Sequence, residues 1–325
     1  MKPLVSILIP AFNSQQWIGD TLRSALEQTW QRKEIVVVDD GSSDRTLEIA
    51  RQFKSKSLRV ATQINQGAAA ARNKAYSLCQ GDYIQWLDAD DLLAPDKIEK
   101  QMTALARCHS KRPLLSSAWG HFIKLPEKAQ LTPSPLWCDL NPVEWMLRKM
   151  EHDVYMLSTS WLVSRELTET AGPWDTRLWV DDDGEYFCRV ILASDEVHFV
   201  PDARAYYRIS GSGSLSQIGL SRKKMEAQLL SLELNIARLR AVEESERVRT
   251  ACVTYLQKYL IHFYPENPDL VQRSQKLAES LGARLVLPRL SWKYAWIQAV
   301  LGWRAAKTAQ FHCSKLRGSI LRALD

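Results

Sequence analysis

Short apolar runs alternate with segments of helical periodicity along the first 90 or so residues of the chain. The runs are rich in β-branched residues and are too short for most helices, which favours buried strands. Apolar residues between them recur at the spacing of an amphipathic helix. This order predicts an α/β fold with a Rossmann-like, mostly parallel sheet flanked by helices. The strand candidates are residues 4–9, 34–39, 58–62 and 83–87, and the helix candidates are residues 13–28, 45–53, 67–79 and 94–102.

The remainder of the chain divides into two parts. Strand and helix patterns continue to mix up to about residue 218, whereas from residue 222 the pattern is helical and is broken only at prolines. We therefore expect an α/β domain over residues 1–218 and a helical region over residues 219–325. In the first part, the pattern predicts strands at 113–118, 158–163, 197–201 and 203–208, helices at 141–148 and 185–193, and an irregular proline-rich excursion at 125–142.

Three polar clusters directly follow predicted strands, at residues 10–13, 39–41 and 88–91. The carboxyl ends of parallel strands meet at one edge of a sheet, and ligands of open α/β sheets bind at that edge. The chain contains neither a GxGxxG nor a GxxxxGK[ST] motif that would hold phosphates with backbone amides. A metal ion is then expected to do more of the phosphate binding.

Asp88 and Asp90 are the acids that such an ion would use. In an extended backbone, residues two apart point to the same side, so the two carboxylates aim at one spot. Their repulsion is relieved by a hard divalent cation, Mn²⁺ or Mg²⁺, whose open positions take diphosphate oxygens. The alternative is an acidic loop in which Asp91 or Asp96 caps the next helix. Asn13 or Ser14 is likewise expected to cap the first helix.

Positive charge is concentrated near the C-terminus. Residues 284–325 contain eight Lys or Arg and one Asp, a net charge of +7, whereas the whole chain carries +6 and the rest is therefore close to neutral. This asymmetry argues against a general nucleic-acid binder and predicts a basic C-terminal surface. Hydrophobic content of 46% and charged content of 25% are ordinary for a globular protein.

The six cysteines are scattered and form no CxxC pair, so neither a zinc cluster nor a thioredoxin-like site is indicated. We interpret them as reduced, buried thiols of a cytosolic protein. The N-terminus lacks the apolar core of a signal peptide, and no apolar run is long enough to span a membrane. The expected location is cytoplasmic, with the basic C-terminal surface as a candidate for peripheral membrane contact.

Five motifs follow one another in order along the first two thirds of the chain. They read VSILIPAFN at 5–13, VVVDDGSSD at 36–44, NQGAAAARN at 65–73, GDYIQWLDADD at 81–91 and DDGEYFCR at 182–189. In this order they resemble the family 2 glycosyltransferases, which have the GT-A fold. The resemblance extends over roughly residues 3–215 and leaves the C-terminal third uncovered.

The resemblance implies transfer of a sugar, with inversion, from a nucleotide-diphosphate donor to a hydroxyl of a saccharide or lipid-linked saccharide. It assigns the metal to Asp90 and Asp88. For Asp39 and Asp40 the alternative is turn chemistry before the next helix. For Arg72, which the family places near the ribose or the phosphates, the alternative is a solvated helix charge. The implied donor-binding residues are Pro10, Ala11, Asn13, Asp39, Asp40, Arg72 and Asp88.

Asp183 is the candidate general base, with Asp182 as a helper. An inverting single displacement needs one carboxylate opposite the leaving group to accept the proton of the attacking hydroxyl. Three adjacent acids at 181–183 are expected to raise the pKa of one of them. The alternative is an N-cap at the positive end of the following helix. The family often has Glu where Asp182 stands, so the helper role is the weaker assignment. The Gly/Ser-rich stretch 210–216 is either a loop that closes over the site or an inert linker.

Trp292, Trp296 and Trp303 are predicted to share one helical face within the basic C-terminal segment. Tryptophan beside Lys and Arg suits a helix lying in the interface of an anionic membrane. Internal packing or a contact in a homodimer would explain the same pattern. The leucines and isoleucine spaced through 229–239 are expected to pack long helices against the α/β domain.

Two other functions fit an α/β sheet with an acidic edge. A sugar nucleotidyltransferase needs a Gly-rich basic loop after the first strand, and residues 10–13 do not provide it. A sugar-nucleotide-binding scaffold without activity would not need the acids, yet Asp88, Asp90 and Asp183 are all present. The sequence therefore favours the metal-assisted glycosyltransferase.

Overall fold

In a computed structural model of the chain, residues 2–209 and 221–324 are described. Within these ranges, nine strands form two sheets. The first sheet has the order β3-β2-β1-β4-β8 and the second the order β5-β9-β6-β7. The strands are β1 (Val5–Ala11), β2 (Lys33–Asp39), β3 (Leu58–Thr62), β4 (Tyr83–Trp86), β5 (Leu92–Leu93), β6 (Pro113–Phe122), β7 (Gln130–Leu131), β8 (Val163–Ser164) and β9 (Glu196–Arg208).

Helices cover the first sheet and make up the described part of the C-terminal region. Short 3₁₀ turns lie at Pro126–Lys128, Ser158–Ser160 and Trp292–Tyr294. The helices are α1 (Ile18–Leu26), α2 (Thr46–Gln52), α3 (Ala68–Leu78), α4 (Lys97–Leu105), α5 (Pro142–His152), α6 (Arg165–Ala171), α7 (Asp182–Ala193), α8 (Arg222–Val242), α9 (Glu246–Phe263), α10 (Pro268–Ser280) and α11 (Ala295–Leu324).

The first sheet confirms the prediction of a mostly parallel α/β architecture. Strands β1 to β4 are parallel, and β8 is antiparallel to β4 at the sheet edge. The register pairs Ala11 with Asp39 and Asp39 with Thr62, so β1, β2 and β3 end level with one another. The side chains of β1, and those of β2 from Ile35 onward, are buried on both faces, which explains the continuous apolar runs in the sequence.

Residues 88–91 connect the first sheet to the second. β5 begins at Leu92, directly after the acidic residues, and pairs with Tyr206 of β9. The two strands predicted at 197–201 and 203–208 are one strand, β9, because it pairs with β6 through an irregularity between Ser117 and Ala118. The acidic turn therefore lies between the two sheets.

Several predicted boundaries are wrong. The first helix begins at Ile18 rather than at 13, and neither Asn13 nor Ser14 caps it. The helix predicted from 94 begins at Lys97, and no side chain caps it, so the capping role of Asp91 or Asp96 is wrong. Residues 158–163 form a 3₁₀ turn followed by the start of β8 rather than one strand, and α6 was not predicted.

The helical C-terminal region shares a hydrophobic cluster with the α/β domain. Leu229, Leu232 and Ile236 of α8 are buried in the same cluster as Trp86 and Trp161, as the spacing of the apolar residues predicts. The predicted domain boundary at 218/219 and the Gly/Ser stretch 210–216 lie outside the described residues, and both stay predictions.

The three tryptophans of the C-terminal segment do not share one helical face. Gly302 has φ 82° and ψ 172°, which interrupts α11 between Trp296 and Trp303. Trp303 is partly buried and packs edge-on against Tyr264, with ring centroids 4.8 Å apart. The prediction is wrong for Trp303 because glycine allows a backbone conformation that ends the helical turn.

All six cysteines are free thiols. Cys79, Cys188 and Cys252 are buried as predicted, whereas Cys138 and Cys313 are exposed, so the prediction of burial is wrong for these two. Among the described residues, we find no helix that combines the length and the apolar character needed to cross a bilayer.

Candidate active site

Two of the three predicted polar clusters meet at the ends of β1 and β2. Asn13 has a left-handed backbone (φ 48°), and its Oδ1 accepts a 2.9 Å hydrogen bond from the amide of Ser43. Its own amide donates to Ser42 Oγ at 3.0 Å. Asn13 thus holds the loop after β2 beside the end of β1.

The Asp40 carboxylate binds the backbone segment that leads into α3. Both of its carboxylate oxygens accept hydrogen bonds of 2.8–3.0 Å, from the amides of Gln66 and Gly67 and from the side chain of Gln63. Gly41 lies beside this contact at φ 72°, and a Cβ there would stand 2.8 Å from the Asn65 amide nitrogen. The sequence interpretation of turn chemistry therefore describes what Asp40 does in this structure.

Asp39 is satisfied differently from its neighbour. Its Oδ2 accepts from Thr62 Oγ1 at 3.2 Å and from the Ser42 amide at 3.3 Å. Its Oδ1 is buried and has no hydrogen-bond partner in the described part of the chain. A buried acceptor without a donor is costly, so this oxygen marks a position where a ligand N–H or O–H would fit.

Arg72 joins the two acidic motifs. Its guanidinium donates to Asp88 Oδ1 at 2.7 Å and to Asp182 Oδ2 at 2.6 Å, and it lies 4.4 Å from the ring centroid of Trp174. Only 7% of its side chain is exposed, so the interpretation as a solvated helix charge is wrong. Burial alone would lower the pKa of Arg72, but the charges of Asp182 and Asp88 raise it. It is therefore a permanent cation between the motifs.

The last acid of the 88–91 turn is structural. Asp91 is buried, and it accepts from the Arg208 amide and from Thr159 Oγ1, both at 3.0 Å. Burial, followed by the charges of Asp90 and Asp88, raises the pKa of Asp91 well above its ordinary value. Asp91 therefore fixes the turn, while the half-buried Asp88 and Asp90 stand closer to solvent.

Arg208, at the end of β9, was missed by the sequence reasoning. Its Nε donates to the carbonyl of Asp90 at 2.9 Å, and its Nη2 donates to Asp20 at 3.1 Å. The guanidinium lies 4.7 and 4.6 Å from the ring centroids of Trp17 and Phe122. The only local signal was its position, at the end of a predicted strand and just before a Gly/Ser-rich stretch.

The second acidic motif opens α7. Asp181 has a left-handed backbone (φ 56°), and its carboxylate accepts from Ser231 Oγ at 2.5 Å and from Gln228 Nε2 at 3.2 Å. A Cβ on Gly184 would lie 2.0 Å from Asp181 Oδ1, so only glycine fits against this carboxylate. No side chain caps α7, and the alternative of an N-cap at Asp183 is wrong.

Of the three acids in this motif, Asp183 has the most strongly shifted pKa. It is half-buried, and its Oδ1 accepts from the Gly184 amide at 2.9 Å. Desolvation, followed by the charges of Asp182 and Asp181, raises the pKa of Asp183 to about 7. The prediction that one of the three acids has a raised pKa is confirmed, with desolvation rather than crowding as the larger cause.

A row of aromatic rings extends from the neighbourhood of Asp183. Desolvation, followed by the charge of Asp183, raises the pKa of Tyr155. Ring centroids are 5.4 Å apart for Tyr155 and Trp119, 4.8 Å for Trp119 and His121, and 5.5 Å for His121 and Tyr207. Tyr155 is exposed, so this row offers an aromatic face next to the acid.

The acids fit a metal ion that is bound together with a ligand. Within the described residues, no three His, Cys, Asp or Glu side chains form a ready-made metal site. Asp88 and Asp90 supply two carboxylates, and one oxygen of Asp88 already accepts from Arg72. A hard cation takes six or more oxygens, so most of its ligands would have to come from a donor diphosphate and water.

Solved structures show which fold this is. The crystal structure of *Staphylococcus aureus* TarS 1-349 in complex with UDP-GlcNAc superimposes with a TM-score of 0.70 at 18% identity, covering 86% of this chain and 81% of that one. Mannosyltransferase PcManGT from *Pyrobaculum calidifontis*, solved with GDP-Man and Mn²⁺, gives a TM-score of 0.56 at 16% identity, covering 100% and 88%. The fold is that of the GT-A glycosyltransferases.

Sequence comparison assigns the N-terminal segment. Residues 6–110 match the model of "Glycosyl transferase family 2". An uncharacterized glycosyltransferase of *Haemophilus influenzae* is 42% identical over 110 residues, which are 33% of this chain and 44% of that protein. The putative teichuronic acid biosynthesis glycosyltransferase TuaG of *Bacillus subtilis* is 42% identical over 104 residues, 31% and 41%. The chain spans less than half the length of both relatives, and the matched residues end before the 182–189 motif.

Proposed function

We propose that the protein transfers a sugar, with inversion, from a nucleotide-diphosphate donor to a hydroxyl acceptor. The observation that supports this most directly is the double ion pair of Arg72. Because one guanidinium contacts both Asp88 and Asp182, the 88–91 turn and the turn that carries Asp183 lie within the span of a single side chain. A donor bound at the first turn would then present its anomeric carbon near the second.

The nucleoside is proposed to lie at the ends of β1 and β2, against Pro10, Ala11, Asn13 and Asp39. Asp39 is the better acceptor for an N–H of the base, because its buried Oδ1 has no donor in the described residues, whereas both oxygens of Asp40 are occupied. Asp40 then shapes the pocket by holding the segment before α3. Arg72 and Asp88 border the position of the diphosphate.

Asp90 and Asp88 are proposed to hold the divalent metal, Mn²⁺ or Mg²⁺. Mn²⁺ accompanies GDP-Man in the *P. calidifontis* mannosyltransferase of the same fold. When bound, such an ion neutralises the negative charge that develops on the leaving diphosphate. Arg72 contributes a second, permanent positive charge beside Asp88, and its charge opposes the rise that burial causes in the pKa of Asp182. Arg208 holds the Asp90 carbonyl and so fixes the turn that would bind the ion.

Asp183 is proposed as the general base. Its carboxylate takes the proton of the acceptor hydroxyl while that oxygen forms a bond to the anomeric carbon and the bond from carbon to diphosphate oxygen breaks. One displacement without an enzyme-bound sugar inverts the configuration. A pKa of about 7 suits this role, since about half of the carboxyl groups are ionised at neutral pH and the carboxylate is more basic than an ordinary one. Asp182 supports the turn through Arg72 rather than touching the proton.

The acceptor is proposed to be a saccharide. The exposed ring of Tyr155, next to Asp183 and continued by Trp119, provides an apolar platform on which the C–H face of a pyranose packs. The name of the *B. subtilis* relative points to polysaccharide biosynthesis, and the product is accordingly proposed to belong to a cell-envelope polysaccharide. We expect Tyr155→Ala to raise the KM for acceptor while leaving the KM for donor unchanged.

A panel of UDP- and GDP-sugars with Mn²⁺ or Mg²⁺ tests the proposal. A thermal shift identifies the donor that binds, because a ligand of the folded state raises the melting temperature. Release of nucleoside diphosphate then reports turnover in the presence of saccharide acceptors. Asp183→Asn should keep the thermal shift and lose turnover, whereas Asp202→Asn, an exposed acid on β9, should keep both. Donor binding without turnover for any acceptor would instead indicate a sugar-nucleotide-binding protein.

Chelation sharpens the assignment of the metal. We expect EDTA to abolish turnover and added Mn²⁺ or Mg²⁺ to restore it. Metal alone should change the melting temperature little, because the described residues contain no ready-made three-ligand site. Metal together with nucleoside diphosphate should raise it clearly. Full turnover in EDTA would remove the metal from the mechanism and leave Arg72 as the cation.

A further inference from the structure

The segment 286–301, which we call the tryptophan segment, exposes an unusual amount of apolar surface. Trp292 is 81% exposed, Trp296 67% and Val300 75%, and Val286, Leu287 and Leu301 are exposed to a similar degree. Trp296 and Val300 are four residues apart on α11 and so share one face, and Trp292 lies in the 3₁₀ turn that leads directly into this helix. Isolated exposed apolar residues are normal, but a contiguous line of this size marks an interaction surface.

The segment is attached firmly to the body of the protein. The side-chain amide of Gln257 on α9 accepts from the Val286 amide at 2.8 Å and donates to the Val286 carbonyl at 2.9 Å. On the other side of Gly302, Lys307 donates to Glu266 and to the Tyr264 carbonyl, both at 2.6 Å. The exposed tryptophans are thus presented by a fixed structure rather than by a loose tail.

The charge around the tryptophans is of one sign. Residues 284–310 contain no Asp or Glu. Arg284, Arg289, Lys293 and Arg304 are exposed, and none of them forms an ion pair with a carboxylate of residues 2–209 or 221–310. Because residues 284–325 carry a net +7 while the rest of the chain is close to neutral, the positive field is localised at this surface.

We propose that the tryptophan segment docks on the surface of a bilayer that contains anionic lipids. Tryptophan rings favour the headgroup boundary, where one end of the indole is apolar and the other is wet. Each Lys or Arg beside them is attracted to the negative charge of an anionic leaflet. A second copy of the chain is a poorer occupant, because a two-fold contact through this surface would set the four cations of one protomer against the same four of the other.

Liposome flotation of the full chain tests the proposal. We expect wild-type protein to float with vesicles of phosphatidylcholine and phosphatidylglycerol, and to remain at the bottom with phosphatidylcholine alone. The double variant Trp292→Ser, Trp296→Ser should lower the partition coefficient at least about tenfold, since the two indoles inserted into the membrane interface dominate binding. The double variant Arg289→Gln, Lys293→Gln should weaken binding less and reduce its sensitivity to salt.

Val242→Ser provides the matched control, because Val242 is an exposed apolar residue at the end of α8, away from the tryptophan segment in sequence. It should float like wild type, and all variants should keep the wild-type melting temperature. The proposal is overturned if flotation is absent, equal with neutral vesicles, or unchanged in the tryptophan variant. It is equally overturned if light scattering shows a dimer that the tryptophan variant abolishes. Neither readout depends on sugar transfer.

Discussion

The two acidic turns of the site, residues 88–91 and 181–183, are built to the same plan from different supports. In each turn one acid is structural, Asp91 in the first and Asp181 in the second. In each, a second acid pairs with Arg72. The third acid, Asp90 or Asp183, is the one to which we assign chemistry. Because Arg72 pairs with one acid of each turn, it joins the turn proposed to bind the donor to the turn that carries the proposed base.

The supports differ in where they come from. Asp91 is held by Thr159 and by the backbone of Arg208, both within the α/β domain. Asp181 is held by Gln228 and Ser231 of α8, in the helical region that follows. The supports of both turns lie outside residues 6–110, which match the family model, but only the turn that carries the proposed base depends on the helical region. Four predictions test this comparison.

Loss of the base should have the largest effect. Asp183→Asn removes the proton acceptor, and we expect kcat to fall by about 10³-fold, within the range of general base catalysis. For wild type, kcat/KM should rise with pH and level off above about 7, because the carboxylate is the active form and its pKa is raised to about 7. Stopped or continuous assays of diphosphate release from pH 5 to 9 measure both. A pH profile that is flat through 7 would contradict the assignment.

Loss of the shared cation should be the next largest effect. Arg72→Met leaves Asp88 and Asp182 without their common partner, and we expect a fall in kcat/KM of about 10²-fold together with lower stability, of about 3–5 kcal/mol, as for one partner lost from a buried pair. Arg72→Lys should recover only part, because an ammonium cannot span both carboxylates as a planar fork does. Donor titrations and urea unfolding check this. An effect on donor binding alone would mean that the two turns are independent.

Loss of a support from α8 should have a smaller, selective effect. Ser231→Ala removes the 2.5 Å hydrogen bond to Asp181, and we expect kcat to fall by about tenfold, the lower end of the roughly 1.5–3 kcal/mol of a hydrogen bond to a charged group. The KM for donor should stay unchanged and the apparent pKa of the pH profile should move. Ser274→Ala, which removes another buried serine hydroxyl that bonds within its own helix, is the control. Equal loss in both variants would reduce Ser231 to a general packing role.

The smallest effect concerns stability and pH. The native pKa of Asp183, about 7, lies above its ordinary value of 3.8. Its contribution therefore favours the folded state at low pH and is lost as pH rises from about 4 through 7. Asp183→Asn removes this dependence, so the variant should gain melting temperature over wild type by a few degrees at pH 8 and by less at pH 5. Differential scanning calorimetry at both pH values is the check, and a gain that does not grow with pH would contradict it.

Local patterns in the sequence carried much of the fold and the acidic motifs, and long-range pairings carried the rest. The strands of the first sheet follow from short segments whose periodicity is visible directly. The spacing of Asp88 and Asp90 is equally local, whereas the choice of Asp183 depends on the family resemblance, and the roles of all three acids stay predictions. The pairing of Arg72 with Asp182 joins residues 110 positions apart, and that of Asp181 with Ser231 joins residues 50 apart, so no window of sequence reveals them. The contacts of Asp40 are likewise long-range, because its oxygens accept from the amides of Gln66 and Gly67, and its contact with the donor stays a prediction.

The two hydrogen bonds between the side chain of Gln257 and the backbone of Val286 restrain the tryptophan segment relative to α9. A backbone group held at both its N–H and its C=O resists rotation about either bond, and the Lys307 contacts restrain the far side of the same segment. If this surface binds a bilayer, these contacts would hold the rest of the protein at one tilt relative to the membrane. The direction from which a lipid-borne substrate reaches the sheet edge would then be determined before any substrate arrives.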